Sequence, residues 1–192
     1  WEAKRSELRK QYFDMLGLWP LPERTALKST VTGKLERDAF TVEKVHFQSK
    51  PGLYVTGNLY LPKKIEGKLP AVLYVCGHSN KGRDGNKSAF QHHGMWFATH
   101  GYACLIIDTL QLGEVAGIHH GTYNRDRWWW HSHGYTSAGV ECWNGVRAID
   151  YLVTRPEMGD VLLCSGVTNP AVPTGTNALD VWAFQAGNWV QL

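Results

Sequence analysis

Cysteine is sparse in this 192-residue chain, and the four that occur, at positions 76, 104, 142 and 164, stand far apart inside apolar segments. Neither the paired spacing of a zinc site nor the density of a disulfide scaffold is there, so they read as small core hydrophobes. An excess of one charge is lacking too. Lys and Arg number 20 against 17 Asp and Glu, a net charge of +3, which is too little to imply nucleic acid or a membrane surface as a partner. No apolar run approaches the ~20 residues of a membrane-crossing helix, and no signal-type leader opens the chain. It begins at Trp1 instead of Met, where a removed leader or further domain sequence is the expectation. What the chain does have is apolar and aromatic matter, 43% hydrophobic residues with 9 Trp. A chain of this length supports one domain that buries roughly 70% of its unfolded surface.

The order of patterned segments points to an α/β fold. Residues 2 to 16 carry Leu8, Tyr12, Met15 and Leu16 at helical spacing among charges, with Gly17 and Pro20 as stop signals; this predicts an N-terminal surface helix. Residues 40 to 48 (FTVEKVHFQ) and 53 to 61 (LYVTGNLYL) alternate like strands around a Lys50-Pro51-Gly52 turn, the pattern of an antiparallel hairpin. Three apolar runs follow, AVLYVC at 71 to 76, YACLIID at 102 to 108 and VLLCSGV at 161 to 167, each of the kind covered on both faces in a parallel sheet. Helical segments separate them. One spans 88 to 100 and closes at Gly101; in the other, 139 to 155, Val140, Trp143, Val146, Ala148, Ile149 and Leu152 trace one face before Pro156. Parallel neighbours need right-handed crossovers, and ligands of such sheets bind beyond the carboxyl ends of the strands. The chain thus divides into an N-terminal helix and linker at 1–39, a sheet domain at 40–168 and an atypical tail at 169–192.

Three segments in register, LPAVLYVCGHSNKGRDG, HGYACLIIDTLQLGE and WNGVRAIDYLVTRPE, resemble the N-terminal portion of an α/β-hydrolase of the acetyl-xylan-esterase-like and dienelactone-hydrolase-like branch. The resemblance covers about residues 40 to 158, a hairpin leading into a parallel sheet flanked by helices. It implies a serine ester hydrolase, in which a strand-to-helix elbow presents the nucleophile, a His and an acid complete a triad, and the loop after the first parallel strand supplies an oxyanion donor. Gly77 and His78 match that oxyanion position, where losing one preorganised N–H donor typically costs ~3 kcal/mol. Such an enzyme acts on a small-molecule or carbohydrate ester through an acyl-serine and uses no metal or organic cofactor.

Beyond residue 161 the pattern departs from the resemblance. An elbow G-x-S-x-G should follow the third apolar run, and none is present. Ser165 lies inside that run without a glycine two residues before it, which makes it a candidate nucleophile by proximity and better read as a strand residue. Pro170 and Pro173 oppose the helix an elbow needs. No His follows His133, and Asp180 cannot be placed in a triad. The expectation is the scaffold and oxyanion side of an esterase without its catalytic half: an inactive protein, a fragment, or a frame-disrupted reading. Asn169 to Pro173 must be encoded AAY-CCN-GCN-GTN-CCN, and reading from the third base permits Ser-Gly-Gly-Ala, an elbow of the related kind. A sheet that stopped at its third parallel strand would expose an apolar edge and invite self-association unless the tail covered it.

The remaining polar and aromatic residues carry two readings each. His78 orients an oxyanion or caps a turn. Asp108, at the end of the second apolar run, belongs either to a substrate rim or to the anchoring of its own loop, with anchoring preferred. In RDRWWWHSHGY at 125 to 135, the indoles of Trp128, Trp129 and Trp130 suit sugar stacking and Arg127 suits a carboxylate, together a carbohydrate rim. The plainer reading packs them against the domain, although three consecutive tryptophans cannot all face inward. His92 and His93 diverge on a helix, and neither His119-His120 nor His131 with His133 is accompanied by a carboxylate at metal-site spacing; no metal is expected. Besides a serine esterase, two alternatives remain: a non-catalytic carbohydrate-binding module, and a metal-dependent hydrolase that uses the loop histidines.

Overall fold

The computed structural model of the chain describes residues 1–75, 77–79, 81–110, 112–118, 125–165, 180–185 and 188–191, with side chains through residue 159. Helix α1, Glu2–Leu16, ends where expected: Gly17 adopts the left-handed conformation (φ 71°) and its N–H donates to Asp14 O, a closure that glycine makes without a Cβ penalty. None of its residues is buried.

Strands β2 (Phe40–Lys50) and β3 (Leu53–Pro62) form the expected antiparallel hairpin, with Phe40 opposite Pro62 and Lys50 opposite Leu53. Strand β1, Thr30–Glu36, lies antiparallel on the outer side of β2. Sequence reasoning assigned that segment to a linker. It has no buried residue, so the backbone ladder, and not side-chain burial, holds it in the sheet.

Strands β4 (Leu69–Val75), β5 (Ala103–Ile107) and β6 (Met158–Ser165) coincide with the three apolar runs. β4 pairs in parallel with both others, Leu73 facing Leu105 on one side and Leu163 on the other. The segments between them form the short helix α2 (Gly85–Ala89), α3 (Gln91–Thr99), the single turn α4 (Trp129–Ser132) and the long α5 (Ser137–Thr154). Thr136 caps α5 by accepting the N–H of Gly139 through its side chain at 2.9 Å.

All five residues of β5 are buried because both sheet faces are covered. Alternation sorts them: Cys104 and Ile106 join Val72, Tyr60 and Ala98 of α3 on one face, while Ala103, Leu105 and Ile107 join Leu59, Leu73 and Phe47 with Ala148 and Leu152 of α5 on the other. Each fully buried leucine contributes roughly 1.5–3 kcal/mol, so this two-sided burial fixes the register of the parallel strands. On the α5 face Phe47 and Tyr151 stack with ring centres 5.4 Å apart.

Among the described residues the sheet has eight strands in the order β1-β2-β3-β5-β4-β6-β7-β8, where β7 is Asp180–Gln185 and β8 is Asn188–Gln191. β7 runs antiparallel along β6, from Ser165 opposite Asp180 to Val161 opposite Phe184. The open edge anticipated at the third parallel strand is therefore occupied by the tail itself, and the reason given for self-association through that edge falls away.

Candidate functional site

Parallel strands share an exit edge. The offset between Tyr74 and Ile106 carries Gly77 to the level of Thr109, and Val75 pairs with Ser165 just before it. Gly77 and His78 are exposed at this edge, immediately beyond β4. A Cβ on Gly77 would meet nothing within 4 Å, and its φ is outside the left-handed range. Neither backbone conformation nor crowding by the fold demands glycine there. Ser165 is the last residue of β6, its backbone paired to Val75 and Asp180, as a strand residue should be. Positions 166 to 179, where an elbow would stand, lie outside the described residues, as do His119 and His120.

Asp108 is the most heavily engaged polar group of this edge. Its carboxylate is 7% exposed at the residue level and accepts the Lys87 N–H (3.0 Å), the Thr56 hydroxyl (2.8 Å) and the Lys87 ammonium. The ammonium also reaches Glu114 at 3.0 Å. Glycine is required on both sides of this group: a Cβ at Gly85 would stand 2.3 Å from Asp108 Oδ1, and one at Gly113 would stand 2.4 Å from its Cγ. Asn86 completes the junction, donating its N–H to Leu112 O and its side-chain amide to the Thr109 hydroxyl, both at 3.0 Å. These are the contacts of a loop anchor. A buried charge held this way is satisfied instead of being offered to a ligand.

A cleft with about 190 Å³ of empty space opens beside the anchor, lined by Tyr54, Thr56, Asp108, Thr109, Val115 and Asn144. Most of that space is open to solvent; only about 10 Å³ is left for the centres of water-sized groups, room for a single one. It lies between β3, β5 and α5 and is separated from Gly77 by the end of β5.

The aromatic segment leads into the N-terminus of α5, which packs at the same edge: Glu141 of α5 accepts the Leu110 N–H at 3.2 Å. Trp128 and Trp129 are 60% and 51% exposed. Trp130 is half-buried and meets Tyr135 edge-on at 5.0 Å. The Arg127 guanidinium lies over the Trp129 ring at 6.0 Å. The segment is fastened from behind, where the Thr136 hydroxyl donates to Leu16 O at 2.6 Å; a Cβ at Gly139 would stand 1.9 Å from Leu16 O, and one at Gly17 would stand 2.2 Å from Gly134 O.

Of the histidines, His93 stacks on Tyr74 at 4.7 Å; burial, and then the neighbouring His92, hold its pKa below the usual histidine value. His133 is exposed with its Nδ1 2.8 Å from Trp129 O. Among the described residues no group of three His, Cys, Asp or Glu is placed to hold a metal. Cys104 is buried and outside any disulfide, and burial pushes the Cys142 thiol up. Sequence reasoning missed Lys87, Thr56 and Asn86, whose roles depend on partners far along the chain.

No protein-family model matches the chain, and no curated protein does. Solved structures do. A Bacteroides fragilis protein assigned as an acetyl xylan esterase superposes with a TM-score of 0.65 at 15% identity, over 82% of this chain and 44% of that one. A methylesterase gives 0.60 at 21% identity, covering 82% and 33%. A glucuronoyl esterase from Solibacter usitatus gives 0.53 at 17%, covering 85% and 52%. The chain thus spans between 33% and 52% of these solved chains. At such identities the likeness establishes the fold alone, a mixed sheet with parallel central strands flanked by helices that corresponds to part of these solved chains.

Proposed function

We propose that these residues form the scaffold and oxyanion side of a serine ester hydrolase that acts on carbohydrate esters, with Gly77 and His78 presenting backbone N–H groups to the developing oxyanion. The observation that carries this reading is Gly77, a glycine at the exit edge that the fold itself does not require. What glycine permits there is close approach of a reacting group to the backbone. The Trp128 and Trp129 faces with Arg127 make the sugar-binding rim, as their exposure allows. The nucleophile and the triad His are not supplied by a recognisable motif, so hydrolytic turnover by this chain alone is not expected.

Titration with methylphosphonate, a stable tetrahedral oxyanion, tests the reading. The amide resonances of Gly77 and His78 should shift together and saturably, and acetylated xylo-oligosaccharide should shift the indole N–H signals of Trp128 and Trp129. Strand amides should stay still. Absence of any response at Gly77 would refute the oxyanion assignment. The exposed indoles also favour a second reading, a carbohydrate-binding module without chemistry; it predicts the sugar response alone, with no labelling by a fluorophosphonate probe. Specific serine labelling with p-nitrophenyl acetate turnover would instead make this chain a complete enzyme.

A further inference from the structure

The loop after β4 begins on a rigid strand, and something must also fix its far end if the amides of Gly77 and His78 are to stand in one place. We infer that Asp108 is the positioning residue that does so, clamping the loops after β4 and β5 to each other and to the start of β3. Three separate segments converge on its carboxylate: Lys87 through N–H and ammonium, Thr56 through its hydroxyl, and the Gly85 and Gly113 backbones through van der Waals contact. A fourth link, Asn86 N–H to Leu112 O, closes the junction without passing through the carboxylate. The Asp108 N–H donates in turn to Thr56 O at 2.9 Å, which fixes the clamp to the sheet. Both carboxylate oxygens accept from protein donors, so in this arrangement Asp108 acts through the loops it holds.

Lys87 has its place in this arrangement for an electrostatic reason. Its side chain and that of Asp108 are 9% and 4% exposed, and a buried carboxylate of this kind holds its geometry only while its countercharge is present. Loss of the charge on Asp108 leaves Lys87 with Glu114 as its remaining carboxylate partner and weakens the attachment of residues 81–87. The inference rests on the oxyanion reading of Gly77 and His78 for its functional meaning, and on the clamp contacts for its physics.

Asp108→Asn keeps shape and an acceptor while removing the charge. Amide hydrogen exchange of the full chain should then rise about tenfold at Asn86 and Lys87, with β2 and β3 unchanged. The Gly77 and His78 amide resonances should move, and their apparent affinity for methylphosphonate should fall. A carboxylate serving only general stability would raise exchange across β2 and β3 as well, and that outcome, or unchanged exchange at Asn86 and Lys87, overturns the clamp. If Asp108→Asn does not fold, Thr56→Val removes one hydroxyl bond and should show the same local pattern at smaller amplitude; no local change there overturns the clamp equally. Wild-type amides that ignore methylphosphonate sink the oxyanion reading, whereas the exchange pattern judges the clamp by itself.

Discussion

Replacing Arg155 with Met should expose how much the pole opposite the site depends on charge. Arg155 follows α5 and lies between two carboxylates: its guanidinium meets Glu43 Oε2 at 2.8 Å and Glu157 Oε1 through Nε at 2.9 Å, and it also donates to the Tyr151 hydroxyl at 3.2 Å. The three charged side chains are 19%, 13% and 18% exposed. Exposed pairs are worth about 0.2–1 kcal/mol, and breaking a fully buried one costs about 3–5. This triad lies between those limits, so Arg155→Met should cost about 2–3 kcal/mol at neutral pH, because it leaves two facing carboxylates without a countercharge. The pH dependence gives the sharper check. Burial raises the Glu157 carboxyl, but hydrogen bonds from Arg155 outweigh this and leave it below the usual 4.5. A depressed carboxylate contributes stability above its unfolded value that is lost as pH falls through its folded one. Wild type should therefore lose stability below pH 4.5, while the variant, whose Glu157 carboxylate is free to protonate earlier, loses less. Urea midpoints followed by Trp fluorescence at pH 7 and in mild acid should converge. A gap under about 0.5 kcal/mol at pH 7, or one that persists unchanged in acid, would refute this account of the triad.

Burial pushes the Tyr60 hydroxyl up to about 12, so the folded state binds that proton more tightly and stability falls as pH rises from 10 towards 12. By alkaline urea titration Tyr60→Phe should be spared about 2 kcal/mol of the wild-type loss; identical curves would count against it. Trp143, 2% exposed, donates its indole N–H to Ser49 O at 2.9 Å. Trp143→Phe should destabilise by about 1–3 kcal/mol by leaving a buried carbonyl unpaired, measurable as a lowered urea midpoint, and an unchanged midpoint would remove that bond from the account. Gly77→Ala should leave stability unchanged or raise it by about 0.4–1 kcal/mol while weakening the methylphosphonate response. Loss of stability without loss of binding would reverse the assignment.

Strands β4, β5 and β6 were legible because burial on both faces requires continuous apolar sequence, and the hairpin because one-sided burial requires alternation. β1 left no such trace: all its residues but Gly33 are exposed, and an edge strand held by its ladder needs no apolar face. The buried polar residues were illegible for a related reason. Lys87 and Arg147 look like surface residues in sequence, yet Lys87 is matched by Asp108, and Arg147 by Asp150 at 2.7 Å together with the Thr25 carbonyl. Such matches depend on contacts as distant as Arg147 with Thr25, 122 residues apart, which no local window contains. The exit edge was therefore legible as the ends of three apolar runs, whereas the contacts that converge on Asp108 were not.

Glycine usage separates what the fold needs from what it leaves over. Gly17, Gly52, Gly67, Gly82, Gly101 and Gly134 have positive φ, and Gly57, Gly94, Gly113 and Gly139 have neighbours that leave no room for a Cβ. Those positions are explained by turns and packing alone. Gly33 and Gly145 have ordinary φ and space around them, the first beside a register shift in β1 and the second within α5. Gly77 shares their freedom but is itself exposed at the carboxyl edge of the parallel strands, directly upstream of a loop whose other end is fastened by a buried ion pair. The sheet leaves room for another small residue there, and under the proposed oxyanion role the Lys87–Asp108 pair would steady the segment that follows. Rigid attachment on both sides of an unobstructed backbone is what stabilisation of a developing negative charge requires, because donors that must first reorganise forfeit their advantage.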